Sequence, residues 1–389
     1  MTRPDRVSRG AHYPVEAMST ASTGSPVQER ALFDAARGGD ELAFQRLVEP
    51  YRRELHAHCY RMLASVHDAE DALQDAMLRA WRSLKGFEGR SSLRRWLYTI
   101  STNTCLDVIH RRPKRVLPVD YGPRTDPHDG PGDPVIESVW VEPYPDETLG
   151  IEDGYAAPEA RYEQRESIEL AFIAALQFLP ATQRAVLILR EVLGFSAKEV
   201  AETLDTTTAS VNSALQRARA TVEERLPERS QQATLRALGD DGLRELVDRY
   251  VEAWENGDVE TVVGMLAEDA VFTMPPLASW FGPRDEIAQW LATSPMSGDW
   301  HWRAIRTQAN GQPALAFYNW DPGEDAYMPF ALNVLTFRGP EISEVDAFIV
   351  RTPTAPDRAT AARMPEQPTN AQALAAAFDN LGMPDRLER

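Results

Sequence analysis

The segment Phe195–Val222 constrains this chain most tightly, because its pattern is that of two short helices joined by a polar turn. Ser196 and Glu199 have the spacing of a capping box, which predicts that a helix starts at Ala197. The turn Asp205–Thr207 follows, and the second helix carries apolar residues in steps of four, three and four. These apolar residues are Val211, Leu215, Ala218 and Val222. The pattern predicts a helix-turn-helix.

The outward face of the second helix consists of side chains that can hydrogen-bond base edges or phosphates. They are Ser210, Asn212, Ser213, Gln216, Arg217 and Arg219. A DNA-binding face is one interpretation of this pattern. The other is an ordinary helical hairpin with a solvated polar face.

The formal net charge of −18 is unsuited to DNA binding, but it is distributed unevenly along the 389 residues. Residues 41–115 carry 14 Lys/Arg against 9 Asp/Glu, whereas residues 116–164 carry 2 against 12. Residues 165–229, which include the helix-turn-helix, carry 8 against 9. Because neutralisation of phosphates supplies much of the affinity for DNA, we expect a partner to provide the missing contacts.

The remaining bulk properties indicate a cytoplasmic protein of two or three domains. The chain has neither an apolar run long enough to span a bilayer nor a signal-peptide pattern at its start. Cys59 and Cys105 do not form a disulfide framework. His56, His58 and Cys59 lie close together within one helical pattern that lacks a second ligand pair, so we expect no metal site and no cofactor.

Composition and periodicity divide the chain into six segments. They are a disordered extension at 1–30, a helical module at 31–115, an acidic proline-rich linker at 116–164, a second helical module at 165–229, an α+β domain at 235–352 and a tail with a short helix at 353–389.

The first helical module contains three predicted helices. Their predicted N-caps are Asp40, Asp68 and either Ser91 or Ser92. The outer face of the second helix is acidic, and the third helix ends in the basic cluster 110–115.

Two apolar segments are expected to dock on the folded domains. Trp140 and Tyr144 interrupt the otherwise polar linker, where a solvated chain has no use for aromatic rings. In the tail, Ala371–Leu381 is a possible short helix with Leu374, Phe378 and Leu381 on its apolar side.

Four motifs, in this order, resemble those of an extracytoplasmic-function (ECF, group IV) RNA polymerase sigma factor of the sigma-70 family. They are the stretches 68–76 and 96–107, then Leu179-Pro180 with Gln183 and Arg184, and the stretch 211–219. The resemblance covers residues 41–113 and 165–226. It implies two all-α modules, a three-helix region 2 and a helix-turn-helix region 4, which bind core RNA polymerase through the largest subunit's coiled coil and the flap, and which bind promoter DNA.

The same resemblance implies a role for each set of residues. The residues expected to bind core polymerase are Asp68, Asp71, Gln74 and Asp75. Those expected at the minus-10 DNA are Ser92, Arg94, Arg95, Trp96, Asn103, Asp107, Arg111 and Arg112, with Lys114 and Arg115 on phosphates. Asn103 would contact a flipped base, which suits an amide that both donates and accepts. Those expected at the minus-35 DNA are Ser210, Asn212, Ser213, Gln216, Arg217 and Arg219.

Residues 240–350 resemble a SnoaL-like domain of the nuclear-transport-factor-2-like superfamily, through the stretches 250–258, 266–271 and 280–287. This implies an α+β cone. Some ECF sigma factors carry such a domain in place of a separate anti-sigma factor, and it contacts their sigma modules and linker. The linker residues expected at that interdomain contact are Trp140, Glu142, Pro143 and Tyr144.

The C-terminal domain has two alternative functions, an enzyme and a ligand-sensing domain. An isomerase or hydrolase would need acid–base groups inside the cone, and the candidates are Asp269, His301, Tyr318 and Asp346. A ligand-sensing domain would need an aromatic pocket, and the candidates are Trp280, Trp290, Trp302, Phe317 and Trp320. The simpler interpretation is that these aromatic side chains form the hydrophobic core of the domain.

Overall fold

The computed structural model describes residues 26–89, 91–132, 135, 139–149, 165–350, 378 and 380–389. The helices are α1 (Pro26–Arg37), α2 (Glu41–Leu63), α3 (Val66–Ser83), α4 (Leu93–Ile109), α5 (Pro118–Tyr121), α6 (Leu170–Gln177), α7 (Ala181–Leu187), α8 (Ala197–Thr203), α9 (Thr208–Arg225), α10 (Gln231–Glu255), α11 (Val259–Met265) and α12 (Arg284–Thr293). The strands are β1 (Leu266–Thr273), β2 (Trp280–Phe281), β3 (Trp302–Ala309), β4 (Gln312–Asp321), β5 (Ala326–Arg338) and β6 (Glu341–Ile349). Two helical modules and an α+β domain are present, which confirms the predicted fold class.

The first module, α1–α4, differs from expectation at its start. Helix α1 begins at Pro26, inside the stretch that was predicted to be disordered as far as residue 30. A proline is well suited to the first turn of a helix, where its missing N–H would lack a partner anyway. Ala36 is buried, and the ring of Phe33 packs edge-on against Phe87, so tertiary contacts stabilise this helix.

Side-chain caps begin the next three helices. The predicted caps Asp40 and Ser92 accept hydrogen bonds from the first turns of α2 and α4. The predicted cap Asp68 is wrong, because Ser65 begins α3 by accepting from the Asp68 backbone N–H at 3.0 Å. Asp68 therefore lies inside the helix, and its carboxylate is free to bind other groups.

The second module, α6–α9, contains the predicted helix-turn-helix. Ser196 and Glu199 form both hydrogen bonds of the capping box at the start of α8. Thr207 caps α9 by accepting from the N–H of Ser210 at 3.2 Å. The predicted apolar stripe Val211, Leu215, Ala218 and Val222 is buried, together with Ala214. The local pattern thus determined both helices.

The C-terminal domain is a six-stranded sheet with the strand order β2-β1-β6-β5-β4-β3 and with helices on one face. Alternate residues of β4 divide between two cores, as the period of a strand requires. Leu315 and Phe317 pack in the core with α10–α12, whereas Ala316 and Tyr318 pack in a core shared with the two helical modules. The outer face of the sheet is therefore covered by the rest of the chain.

The described tail residues lie on this same outer face. Phe378 packs edge-on against Tyr318, whose hydroxyl donates to the Pro384 carbonyl at 2.8 Å. Leu387 forms a backbone bridge with Tyr327. Of the predicted tail helix, Phe378 and Leu381 are buried, and residues 371–377 lie outside the described residues.

Candidate nucleic-acid interface

The recognition face of α9 is open. All six residues predicted to read the minus-35 DNA are exposed on this helix. Arg219 forms an ion pair with Glu191, which lies on the preceding helical segment 188–192. The face is therefore available, with one of its two arginines held by a neighbouring carboxylate.

An open groove of about 540 Å³ runs beside this face. It is lined by Arg190, Asn212, Leu215, Gln216, Arg219, Ala220 and Glu223. The sequence did not single out Arg190, because it precedes the helix-turn-helix and reaches the groove through packing of the segment after α7 against α9. An arginine six residues before the capping box was the available signal.

The uncharged residues predicted at the minus-10 DNA lie along α4. Asn103 is exposed. Trp96 is half-buried, because its ring packs against Phe87 at 4.8 Å between centroids. Ser92 uses its hydroxyl to cap the helix.

Several charged residues on and after α4 bind partners within the protein. The Nε and one terminal nitrogen of Arg94 donate to the Glu54 carboxylate, and Arg79 donates to Asp107 at 2.8 Å. Beyond the helix, Arg112 pairs with Asp68. These contacts all lie within the first helical module.

Arg95 is engaged differently, because its partner belongs to the second module. Its guanidinium forms an ion pair with Glu202 of α8, and it also donates to the Glu199 carbonyl at 3.4 Å. One turn further along α4, the hydroxyls of Thr99 and Thr203 are 3.2 Å apart. The first helix of the helix-turn-helix thus packs on the N-terminal half of α4.

The residues of the basic cluster 110–115 differ in their exposure to solvent. Arg111 and Lys114 are exposed, and the Lys114 ammonium lies over the ring of Phe178 in the second module. Arg115 is buried and donates to the Trp140 carbonyl at 2.6 Å and to Asp68 at 2.5 Å. Its predicted role on phosphates is therefore wrong for this conformation, since it serves as an internal anchor of the linker.

The face of α3 that was predicted to bind core polymerase is open except at its first member. Asp71, Gln74 and Asp75 are exposed and share this face with Leu78, which is 52% exposed. Asp68 is only 2% exposed. The prediction that Asp68 binds core polymerase is wrong for this conformation, because its carboxylate is buried. The two cations Arg112 and Arg115 compensate the buried charge.

The aromatic linker segment lies in the junction between the modules. Trp140, Pro143 and Tyr144 are buried. The Tyr144 hydroxyl and His56 Nδ1 are 2.8 Å apart. Glu142 accepts from the Ser65 hydroxyl and from the Val66 N–H, both at 2.9 Å, and so binds the start of α3.

Asn310, at the β3–β4 turn, joins three parts of the molecule and was not predicted. Asn310 and Gly311 both have positive φ, as a two-residue Asn-Gly hairpin requires. The Asn310 amide donates to the Tyr60 hydroxyl on α2 at 2.9 Å and to the Ile168 carbonyl at 2.8 Å. Its oxygen accepts from the Tyr144 N–H at 2.8 Å, and its backbone N–H donates to the Tyr144 carbonyl at 2.8 Å. The Asn-Gly pair between two strand patterns was the available signal, but it marked a turn and gave no partner.

Further polar contacts surround this hairpin. Gln312 Oε1 accepts from the N–H of Leu170, the first residue of α6, at 2.9 Å, and Gly311 N–H donates to Asp146 at 2.8 Å. Glu169 accepts from the N–H of Gln232 at 2.8 Å. Burial raises the pKa of Asp146 to about 6 and that of Glu169 to about 7. Two carboxylates whose ionisation is disfavoured therefore lie at the junction.

The four candidate acid–base groups of the cone do not converge. Asp269 forms an exposed ion pair with Arg338, and His301 is exposed. Tyr318 faces the helical modules and binds the tail. Asp346 alternates with Val345 and Ala347, which face the inner core, and it accepts from the Thr273 hydroxyl at 2.7 Å. The structure therefore does not bring the four candidates of the enzyme alternative into one pocket.

Three of the five candidate aromatic residues do lie inside the cone, namely Trp290, Trp302 and Phe317. Trp280 turns outward, and its indole N–H donates to the linker carbonyl of Gly122 at 3.0 Å. Trp320 lies beneath the guanidinium of Arg389 in the tail.

Among the residues that the structure describes, none of the helices has the length and apolar character that a membrane span requires.

Two helical modules, one with an open recognition helix, define a DNA-binding protein with an appended cone domain. Residues 47–115 match the family model of sigma-70 region 2, and residues 169–222 match that of sigma-70 region 4. Residues 247–345 match the model of the SnoaL-like domain.

The chain is 43% identical over 324 residues to the ECF RNA polymerase sigma factor SigG of Mycobacterium tuberculosis, covering 81% of this chain and 83% of that protein. It is 28% identical over 199 residues to the RNA polymerase sigma-H factor of Pseudomonas aeruginosa, covering 51% and 94%. Among solved structures, the M. tuberculosis extracytoplasmic function sigma factor SigJ aligns with a TM-score of 0.49 and 21% identity, covering 81% and 97%.

The chain belongs to the ECF RNA polymerase sigma factors. It combines sigma-70 regions 2 and 4 with a C-terminal SnoaL-like domain, as the sequence predicted. Sigma factors bind core RNA polymerase and promoter DNA.

Proposed function

We propose that α3, α4 and α9 carry the surfaces through which this sigma factor binds core polymerase and promoter DNA. Asp71, Gln74 and Asp75 on α3 bind core polymerase, and the exposed face of α9 reads the minus-35 element. Asn103, Trp96 and the arginines of α4 read the minus-10 element. Support comes from the exposure of α9 and α3 and from the clustering of amide, aromatic and cationic groups along α4.

We further propose that the SnoaL-like domain regulates the sigma modules in cis, without a separate anti-sigma factor. The single observation that carries this proposal is the position of Asn310. Its four hydrogen bonds join α2, the linker and the start of the second module. A domain that makes these contacts holds regions 2 and 4 against each other.

We call this arrangement, with regions 2 and 4 in contact, the closed form. In the closed form, the two regions are too close together to read both promoter elements at once. Elements about 25 base pairs apart are separated by roughly 80 Å of duplex at about 3.4 Å per base pair. In this structure Arg95 of α4 pairs with Glu202 of α8, so the proposed minus-10 helix and the helix-turn-helix are in direct contact. On this proposal, initiation requires that the two modules separate.

The test is run-off transcription with purified core polymerase and the full chain, wild type against Asn310→Ala. A buried hydrogen bond contributes about 1 kcal/mol, so loss of the amide should destabilise the closed arrangement by about 2–3 kcal/mol. We expect Asn310→Ala to raise transcription and to increase the distance between fluorophores attached to the two modules.

The matched control is Asn319→Ala on β4 of the same domain, where the amide makes one exposed contact at 3.3 Å to the His301 carbonyl. Asn319→Ala should leave both measurements unchanged. If Asn310→Ala opened the chain without raising transcription, the SnoaL-like domain would not be inhibitory. If transcription fell, the domain would be needed for activity.

A small-molecule ligand of the cone is a second candidate function, favoured by a cluster of polar atoms in its interior. Tyr250 Oη, Trp254 Nε1 and Asn333 Oδ1 are buried there, and the Tyr250 hydroxyl faces the other two groups without a well-aligned hydrogen bond to either. A water molecule or a ligand would complete the hydrogen bonding of such a cluster. Native mass spectrometry of the purified protein should detect a bound small molecule that Asn333→Leu no longer retains. A molecule retained equally by both forms would contradict this.

A further inference from the structure

Two faces of the same module differ in accessibility. On α3, the positions 71, 74, 75 and 78 recur with the helical period, form one stripe and are exposed. On α4, the second module contacts Arg95, Tyr98 and Thr99 in the N-terminal half, whereas Asn103 further along the helix is exposed. The first face is the proposed polymerase-binding surface, and the second is the proposed minus-10 surface.

Three of the contacts that cover α4 come from the stretch 195–203 of the helix-turn-helix module. Glu202 pairs with Arg95, whose side chain is only 18% exposed. Thr203 contacts Thr99. Phe195 packs edge-on against Tyr98 with ring centroids 5.5 Å apart. The SnoaL-like domain itself supplies none of these three contacts.

Glu202 presents to Arg95 the same kind of group that DNA would present. A carboxylate and a phosphate both bind a guanidinium through charge-assisted hydrogen bonds. The Glu202 side chain is 52% exposed, so its pair with Arg95 lies at the rim of the contact. A phosphate and the Glu202 carboxylate would compete for the same cation.

We infer that the closed chain binds core polymerase while region 4 masks the minus-10 surface through Glu202, so that the withheld step is promoter recognition. This inference rests on the proposed function. In the closed form, the stripe on α3 offers carboxylates around the apolar Leu78. That combination fits the basic coiled coil of the polymerase largest subunit and requires no opening.

The experiment locks the closed form in the full chain with the pair Thr99→Cys and Thr203→Cys. The two hydroxyl oxygens are 3.2 Å apart, so thiols at these positions are close enough to be oxidised to a disulfide. The native Cys59 and Cys105 are fully buried. Mild oxidation with diamide forms the bond, and dithiothreitol breaks it. The wild-type chain treated in the same way controls for oxidation of Cys59 and Cys105, whose thiols lie beside each other.

The oxidised chain should bind core polymerase within about twofold of the reduced chain, yet lose transcription by at least about tenfold, with recovery on reduction. Loss of core binding on oxidation would overturn the inference, because docking would then require opening. Full transcription by the oxidised chain would overturn both the inference and the proposed closed state. Core binding lost by oxidation together with activation by Asn310→Ala would remove the inference alone.

A second variant tests the masking group without a covalent bond. Glu202→Gln keeps the size of the side chain and removes its charge, and the exposed Glu228→Gln makes the same charge change beyond the end of α9. In holoenzyme, Glu202→Gln should strengthen binding of a single-stranded minus-10 oligonucleotide by about fivefold, with core affinity unchanged and Glu228→Gln without effect. Equal oligonucleotide binding by all three proteins would show that Glu202 is not the mask.

Discussion

The helices α9 and α4, one from each sigma region, present their polar faces in opposite ways. On α9, all six predicted DNA-reading residues are exposed, and the ion pair on that face, Arg219–Glu191, is local to region 4. On α4, Arg94 and Asp107 are paired within region 2, and Arg95 is paired with region 4. The DNA-reading face of region 4 is thus formed locally, whereas that of region 2 depends on what the rest of the chain places against it.

The largest expected effect tests whether the charges of region 2 are internal anchors. Asp68→Ala removes the nearer of the two carboxylates that bind the buried Arg115 and leaves only Glu142, at 3.3 Å. Removing one partner of a buried ion pair typically costs about 3–5 kcal/mol, and the remaining pair places the expected loss at the lower end of that range. Arg219→Ala in region 4 breaks the exposed pair with Glu191 and should cost less than about 1 kcal/mol. Urea unfolding of the full chain, followed by circular dichroism, measures both. Similar losses for the two variants would break the contrast between the regions.

The next effect concerns the hairpin that holds the regions together. Gly311 has φ +68°, and a Cβ there would lie 3.1 Å from Cβ of Arg165. Gly339→Ala is the matched control, because that residue has φ +64° with open space around it. Both variants pay the strain of a left-handed conformation, but Gly311→Ala also crowds the junction, at about 1–3 kcal/mol more.

We expect Gly311→Ala to increase minus-10 binding by the holoenzyme and to leave minus-35 binding by the free chain unchanged. Electrophoretic mobility shift with separate minus-10 and minus-35 probes distinguishes the two. Equal gains on both probes would mean that α9 is also restrained in the closed form.

In region 4, Gln216 and Arg217 should contribute to DNA binding in different ways. Gln216→Ala should relax the preference at one minus-35 base pair by about 1–2 kcal/mol, because it removes a base contact. Arg217→Ala should weaken binding at all sequences equally and reduce its salt dependence. Binding titrations on a set of single-base variants measure both. An unchanged preference after Gln216→Ala would remove this residue from base readout.

The smallest effect is a pH dependence of the junction. Burial raises the pKa of Glu169 to about 7, so the closed form favours the protonated carboxyl. This contribution is fully present below the usual carboxyl range near pH 4 and is lost as pH rises through about 7. The closed fraction should therefore fall over that interval.

His56, with a pKa lowered by burial, and Asp146 titrate in the same junction, so the comparison with Glu169→Gln isolates the effect of Glu169. Interdomain fluorescence transfer, measured from pH 5 to 8, should show a smaller dependence in Glu169→Gln than in wild type. Identical pH curves would exclude Glu169 as the titrating group.

Much of the fold was accessible from the sequence, because its signals are local. The capping box Ser196–Glu199, the cap Asp40 and the buried stripe of α9 depend on residues within one or two turns. The error at Asp68 has the same origin. Its spacing suited a cap, but Ser65 lies one turn earlier, and the distant cations Arg112 and Arg115 determined where the carboxylate points.

By itself, the sequence determined the family, the three folded parts and the residues that α9 exposes, because helical period, caps and turn chemistry act over a few residues. Only the tertiary structure decided which cation binds which carboxylate, as in the pair Arg95–Glu202, and which parts Asn310 joins. Those pairings link residues more than a hundred positions apart. A local pattern carries no information about such partners, since charges and amides bind whatever packing brings within hydrogen-bond distance.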